Sequence, residues 1–222
     1  MKLLSALLLL ITLAAPVEAQ VRRRVPRPPD PSFWVSASVG LFNANEVNDG
    51  ETNSTWDFGE ASNTQFRVSL EKAFQGSASI GATATYVRVP FTYTGPLRTE
   101  SCSGCAAHLD AISLGASFHV GGGTGLHQVL EGSAGVLQYR NLRRDSDGGE
   151  LAPVGGNIDP YFTFGYGFGY AFNPAMQVSV VQDFGLALHE RGGLTSGVSN
   201  TLRQRTIRLN FRYGFGARAR RR

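Results

Sequence analysis

Few residues in this 222-residue chain are arranged for chemistry. The two cysteines form the run Cys102-Ser103-Gly104-Cys105. A redox dithiol needs such a pair at a helix start, where the dipole lowers a thiol pKa, and no helix is indicated here. Haem attachment needs His at position 106, which is Ala106, and zinc needs further ligands where only His108 is near. A structural loop disulfide is the expectation, with metal or redox use as the alternatives. The four histidines are His108, His119, His127 and His189. None stands in a His-x-Ser pair and no Gly-x-Ser-x-Gly elbow occurs, so the serine-nucleophile patterns are missing. The runs Asn43 to Glu51 and Asp145 to Glu150 are rich in oxygen ligands but lack calcium-loop spacing, and are read as solvated loops. No catalytic residue, cofactor or metal site is expected.

The remaining chemistry-bearing residues are charges on otherwise small, polar faces: Arg67, Glu71, Asp183, Arg208 and Arg212, with Glu131 joining if the register of its segment holds. Their positions are set by a period of two. From Ser32 onward apolar residues alternate with Ser, Thr, Gly and these charges, the signature of half-buried strands. One face of Phe33 to Leu41 reads Phe33, Val35, Ala37, Val39, Leu41. The sixth segment carries Phe162, Phe164, Tyr166, Phe168, Tyr170 and Phe172 against Thr163, Gly165, Gly167 and Gly169. In the fifth segment, Val129 to Arg140, the apolar residues do not share a face. Eight strands result, joined alternately by long polar stretches and short turns such as Gln75-Gly76, Gly121 to Gly125 and Asn173-Pro174. That arrangement is an all-β, antiparallel up-and-down meander, and an even strand count closes it into a barrel without free edges.

Composition narrows the setting. Charged residues make up 17% of the chain and Gly 27 of its positions, a profile unlike a disordered tail or a coiled coil. The net charge of +4 sits in two tails: residues 20–31 hold four Arg and one Asp, residues 216–222 four Arg, and the body, 32–215, carries −3. A body of that sign does not point to nucleic acid. Lys2 precedes an apolar stretch, Leu3 to Leu13, and Val17-Glu18-Ala19 supplies small residues at cleavage spacing, so residues 1–19 read as a secretory signal. Residues 20–31, with four prolines, read as an extended linker on the periplasmic side.

Six aromatics on one face cannot all point into an eight-stranded interior, so the apolar faces point outward, into lipid. Aromatics at strand ends support two interfacial girdles: Phe33, Phe74, Phe118, Phe172, Tyr213 and Phe215 at the short-turn end, Phe42, Phe66, Tyr86, Tyr139 and Phe162 at the long-loop end. On this pattern, residues 32–215 resemble the small eight-stranded outer-membrane barrels of Gram-negative bacteria, the OmpA-barrel and OmpX-like group. The last strand, Leu209-Asn210-Phe211-Arg212-Tyr213-Gly214-Phe215, looks like the aromatic signal read by the barrel-assembly machinery, with Phe211, Tyr213 and Phe215 as its assembly residues. That family usually ends on the aromatic; here a basic tail, 216–222, follows. The resemblance implies long extracellular loops, periplasmic turns, contact with outer-membrane lipids and lipopolysaccharide, and a monomer. The expected role is a structural or surface-interaction one without catalysis, the loop ligand being unspecified. A narrow pore or an OmpW-like conduit for small hydrophobic molecules is the rival, and a secreted lipocalin-like barrel the second.

Overall fold

The computed structural model describes residues 30–59, 62–74, 77–96, 101–154, 156–189 and 201–217. The signal segment, nearly all of the linker, the Gln75-Gly76 turn and most of the basic tail lie outside the described residues. Ten antiparallel strands form one sheet: β1 (Pro31–Ala44), β2 (Val47–Asp49), β3 (Ser54–Asp57), β4 (Asn63–Ala73), β5 (Ala78–Pro96), β6 (Ser101–Val120), β7 (Gly125–Arg144), β8 (Asn157–Asn173), β9 (Met176–Leu188) and β10 (Thr201–Ala217). Eight of them close a ring, β1-β4-β5-β6-β7-β8-β9-β10, in which β1 pairs with β10 from Pro31↔Ala217 to Ala44↔Gln204. The two additional strands, β2 and β3, make a short hairpin within the first long connection. β3 adds onto the far end of β5, Trp56 opposite Tyr93.

The alternating sequence dictates the two surfaces. Val35, Val39 and Leu41 of β1 point outward, as do Phe66, Val68 and Leu70 of β4 and all six aromatics of β8 from Phe162 to Phe172. A soluble barrel would place these groups inside; here Phe164 and Phe168 are 51% and 52% exposed, and the covering medium is lipid. The short-turn girdle stands where its spacing puts it, with Phe33 stacked on Phe215 across the closing seam at 5.7 Å. The turns are tight for identifiable reasons. Asn173 accepts a hydrogen bond from the Ala175 amide at 2.8 Å and Pro174 sits between them. Gly122 and Gly123 have φ of 141° and 124°, which side chains other than Gly rarely adopt.

Two expectations require correction. Phe42 and Tyr139 are not part of the outer girdle: both are buried inside the barrel at its long-loop end, whereas Phe66, Tyr86 and Phe162 do face out. The reason is that β5, β6 and β7 run on past the lipid belt. There the medium outside is water, so the apolar side switches from the outward to the inward face. On β5, outward Ile80, Ala82, Ala84 and Tyr86 give way to inward Val87, Val89, Phe91 and Tyr93. The same switch explains the fifth segment: Val136 faces out, while Leu137 and Tyr139 face in on the same side as Glu131. β10 also continues two residues past Phe215, to Ala217.

A charge on the outward face tests the medium directly. Leu114→Arg, near the middle of the β6 belt, should cost about 2–4 kcal/mol of unfolding free energy in lipid vesicles. Denaturant titration measures it, and a change within about 0.5 kcal/mol, as for an exposed site in water, would mean that Leu114 does not meet hydrocarbon.

Candidate functional site

An eight-stranded ring leaves an interior just wide enough for side chains, and this one is filled in two layers. The first is ionic. Arg208 on β10 donates through Nε to Asp183 of β9 at 2.5 Å and through Nη2 to Glu131 of β7. Arg67 on β4, two strands from β10 in the ring, reaches the same two carboxylates, Asp183 at 3.6 Å and Glu131 at 3.9 Å, and donates to Thr83 at 3.0 Å. Toward the short turns, Arg212 donates to Glu71 at 2.6 Å and to Ser79, and its guanidinium lies 4.3 Å from the Trp34 ring centroid. Glu71 also accepts from Ser69 and Ser79. All six expected charges are therefore paired inside the lumen, in two groups: Arg67 and Arg208 with Glu131 and Asp183, and Arg212 with Glu71. Isolated, each would carry a desolvation cost of several kcal/mol, which is why they are gathered. Gly165 makes room for them, since a Cβ there would lie 2.1 Å from Asp183 Oδ1.

His119 is a further member that charge alone did not reveal. Its Nδ1 is 2.8 Å from Glu131 Oε1 and its Nε2 3.2 Å from the Gly121 carbonyl. The signal was available, because His119 alternates with Ser113, Gly115 and Ser117 on the lumen face of β6.

The second layer is an apolar cap at the long-loop end, where Phe42, Val47, Trp56, Phe91, Tyr93, Leu109, Leu137, Tyr139, Leu142 and Leu151 form one cluster. At its centre is a polar triad that the sequence reading did not anticipate. His189, at the end of β9, bonds Asp159 through Nδ1 at 2.8 Å and has Asp49 of β2 at 3.8 Å from Nε2. The Trp56 ring packs on it at 4.7 Å and Tyr139 meets it edge-on at 5.4 Å. Burial alone would lower the His189 pKa, but the bonds and charges of the two aspartates more than offset it and raise the value to about 9. Asp49 is held below the ordinary carboxylate range: burial opposes this, and His189 and the Thr52 amide outweigh it. Separated by some 140 positions in the chain, Asp49 and His189 leave no local pattern to find.

Cys102 and Cys105 are joined as a disulfide, but on the start of β6 and not in a free loop, and Cys102 belongs to the cap core. His108 Nδ1 lies 2.5 Å from Asp145. Of the two oxygen-rich runs, Asp145 to Glu150 is a turn, with Asp147 paired to Arg144, whereas Asn43 to Glu51 is not a solvated loop: it spans the end of β1 and all of β2, and Asp49 is buried and accepts from the Glu51 and Thr52 amides. Among the described residues no three His, Cys, Asp or Glu side chains are placed so as to hold a metal ion. Phe211, Tyr213 and Phe215 all face outward on β10.

Ring, outward belt and filled lumen define an eight-stranded transmembrane β-barrel of the small outer-membrane kind. The fold is that of neisserial surface protein A (NspA), with a TM-score of 0.52 at 14% identity over 83% of this chain and 97% of that one. Alignments also extend over OprG of Pseudomonas aeruginosa (TM-score 0.48, 12% identity, 85% and 99% covered) and over Ail, the attachment invasion locus protein of Yersinia pestis (0.41, 10%, 82% and 99%). No protein-family model and no curated protein sequence matches the chain.

Two measurements probe the layers separately. Glu131→Ala leaves Arg208 and Arg67 short of a counter-charge and should cost about 3–5 kcal/mol, whereas Glu131→Leu with Arg208→Met should recover part of that loss; equal midpoints for wild type and Glu131→Ala would show that water already solvates the network. For the cap, a His189 value raised above 6.5 contributes stability that is complete below pH 6.5 and disappears as pH rises through about 9. At about 1.4 kcal/mol per pH unit, the difference is on the order of 3 kcal/mol. Trp56 fluorescence in a Trp34→Phe background should report cap loosening between pH 7 and 10, and His189→Gln should abolish that pH dependence. A flat profile in the wild type contradicts the ion-pair assignment.

Proposed function

We propose that this protein is an outer-membrane barrel of a Gram-negative bacterium that works through its extracellular surface, and neither as a channel nor as an enzyme. The observation that carries this reading is the double filling of the lumen: the ionic network spans the ring between β4, β7, β9 and β10, and the apolar cap lies above it. A solute path would have to break both. Catalysis is disfavoured by the one histidine that is paired with aspartates in the cap: His189 is buried and, with its pKa raised to about 9, holds its proton at neutral pH and cannot act as a base. The strands that outrun the belt, closed by the disulfide and the β2–β3 hairpin, make a rigid platform for loop ligands. In this reading residues 1–19 direct export, the aromatic end of β10 engages the barrel-assembly machinery, and the mature protein sits as a monomer among lipopolysaccharide.

Planar-bilayer recording with purified, folded protein tests the reading. Silence under voltage, together with labelling of a Ser146→Cys variant by a membrane-impermeant maleimide on intact cells, is the expected pair of results. Reproducible conductance steps would transfer the case to the pore hypothesis, and uptake of small hydrophobic molecules without conductance to the conduit. Recovery as a soluble periplasmic protein would remove both.

A further inference from the structure

The outward face of β10 changes character within one step of its alternation. Phe211, Leu209 and Ile207 belong to the belt; the next two outward residues are Arg205 and Arg203, both exposed. Beside them the neighbouring strand does not change. On β9, Phe184 stands opposite Arg205 and Leu186 opposite Arg203, with Leu188 beyond, all outward and exposed. On the other side, Arg205 faces the small polar Asn43 of β1. Two cationic side chains thus rise beside an apolar column at the outer end of the belt.

From this juxtaposition we propose that Arg203 and Arg205 form a binding site for the phosphate of a phosphorylated, acylated lipid of the outer leaflet, whose acyl chain lies along Phe184, Leu186 and Leu188. The proposal rests on the outer-membrane reading. Residues two apart on a strand point the same way about 6.6–6.8 Å apart, so both guanidinium forks can reach one phosphate, each through two donors. Neither guanidinium has a hydrogen-bond or ion-pair partner among the described residues, unlike Arg67, Arg208 and Arg212 in the lumen or Arg144 on Asp147. A second outward pair makes the contrast. Arg88 and Arg140 stand on either side of Asp110 in one row across β5, β6 and β7, and Asp110 accepts from Tyr86 and Asn141, so an anion approaching these two arginines would meet a carboxylate between them. The apolar column decides the source of the phosphate, because a free anion gains nothing from Phe184 and Leu186, whereas an acyl chain buries them.

The test uses full-length protein in nanodiscs of zwitterionic lipid, with bisphosphorylated lipid A as the probe and native mass spectrometry as the readout. Wild type should retain lipid A, and R203Q/R205Q should weaken retention about tenfold or more, since each arginine near an anionic membrane surface is worth about 1 kcal/mol. R203K/R205K should fall between, R88Q/R140Q should stay within about twofold, and dephosphorylated lipid A should bind wild type as weakly as lipid A binds R203Q/R205Q. Millimolar inorganic phosphate should not displace the lipid. Equal retention by wild type and R203Q/R205Q, equal losses for both arginine pairs, or displacement by inorganic phosphate would each overturn the site. Folding is checked on unboiled gels. A wild type that folds into the nanodisc yet binds no lipid A refutes this site alone, whereas one that does not enter lipid refutes the membrane reading beneath it.

Discussion

Closure of the sheet is the constraint on which everything else depends. In hydrocarbon an unpaired backbone N–H or C=O costs several kcal/mol, so a strand may cross only if both of its edges are paired. β1 and β10 meet this requirement over the whole length of β1, with Phe33 and Phe215 stacked at one end of the seam. Once eight strands close, the interior radius is fixed, and the inward residues must be small, or charged and mutually paired, or apolar and packed together. β8 with its inward glycines, the ion pairs of Arg67, Arg208 and Arg212, and the Trp56 cap are the three solutions this chain uses.

The charged layer and the apolar layer differ in what they contribute. A buried network of this kind is weak evidence for net stability, since well-packed apolar side chains of the same volume can do as well or better. Its effect is on register: slipping β10 by one residue against β9 would turn Arg208 and Arg212 into lipid and bring Leu209 and Phe211 inside. The cap, in contrast, is stabilising through burial, at about 1.5–3 kcal/mol for each large apolar side chain. It also fixes the first long connection by enclosing His189 between Asp49 and Asp159.

Much of this was legible in the sequence, and the boundary of legibility has a physical meaning. Within the belt one face meets lipid and the other a narrow lumen, so alternation reports orientation without ambiguity; hence the eight ring strands, the outward aromatics of β8 and the inward Arg67, Glu71, Asp183, Arg208 and Arg212 follow from spacing. Beyond the belt the outside is water and the same alternation reverses its sense. Phe42 and Tyr139 for that reason lie on the lumen side and not in the outer girdle, and Val87, Val89, Phe91 and Tyr93, whose period of two is as clean as any in the chain, continue β5 with their apolar side turned inward. The Asp49, Asp159 and His189 cluster is assembled from three distant segments and has no local signature at all, and the short β2–β3 hairpin is held by partners far away in the chain, the edge of β5 and the cap core.

The closing seam between β1 and β10 is what makes the sheet a barrel. Amide hydrogen exchange of the protein in lipid vesicles, resolved by residue, measures it most directly. If β1 is paired to β10 in a sealed ring, the amides of Val35 to Leu41 and of Ile207 to Tyr213 exchange as slowly as those of β5 and β6 in the centre of the sheet. Fast exchange confined to those two strands, with β5 and β6 still protected, would show an open sheet and contradict the barrel.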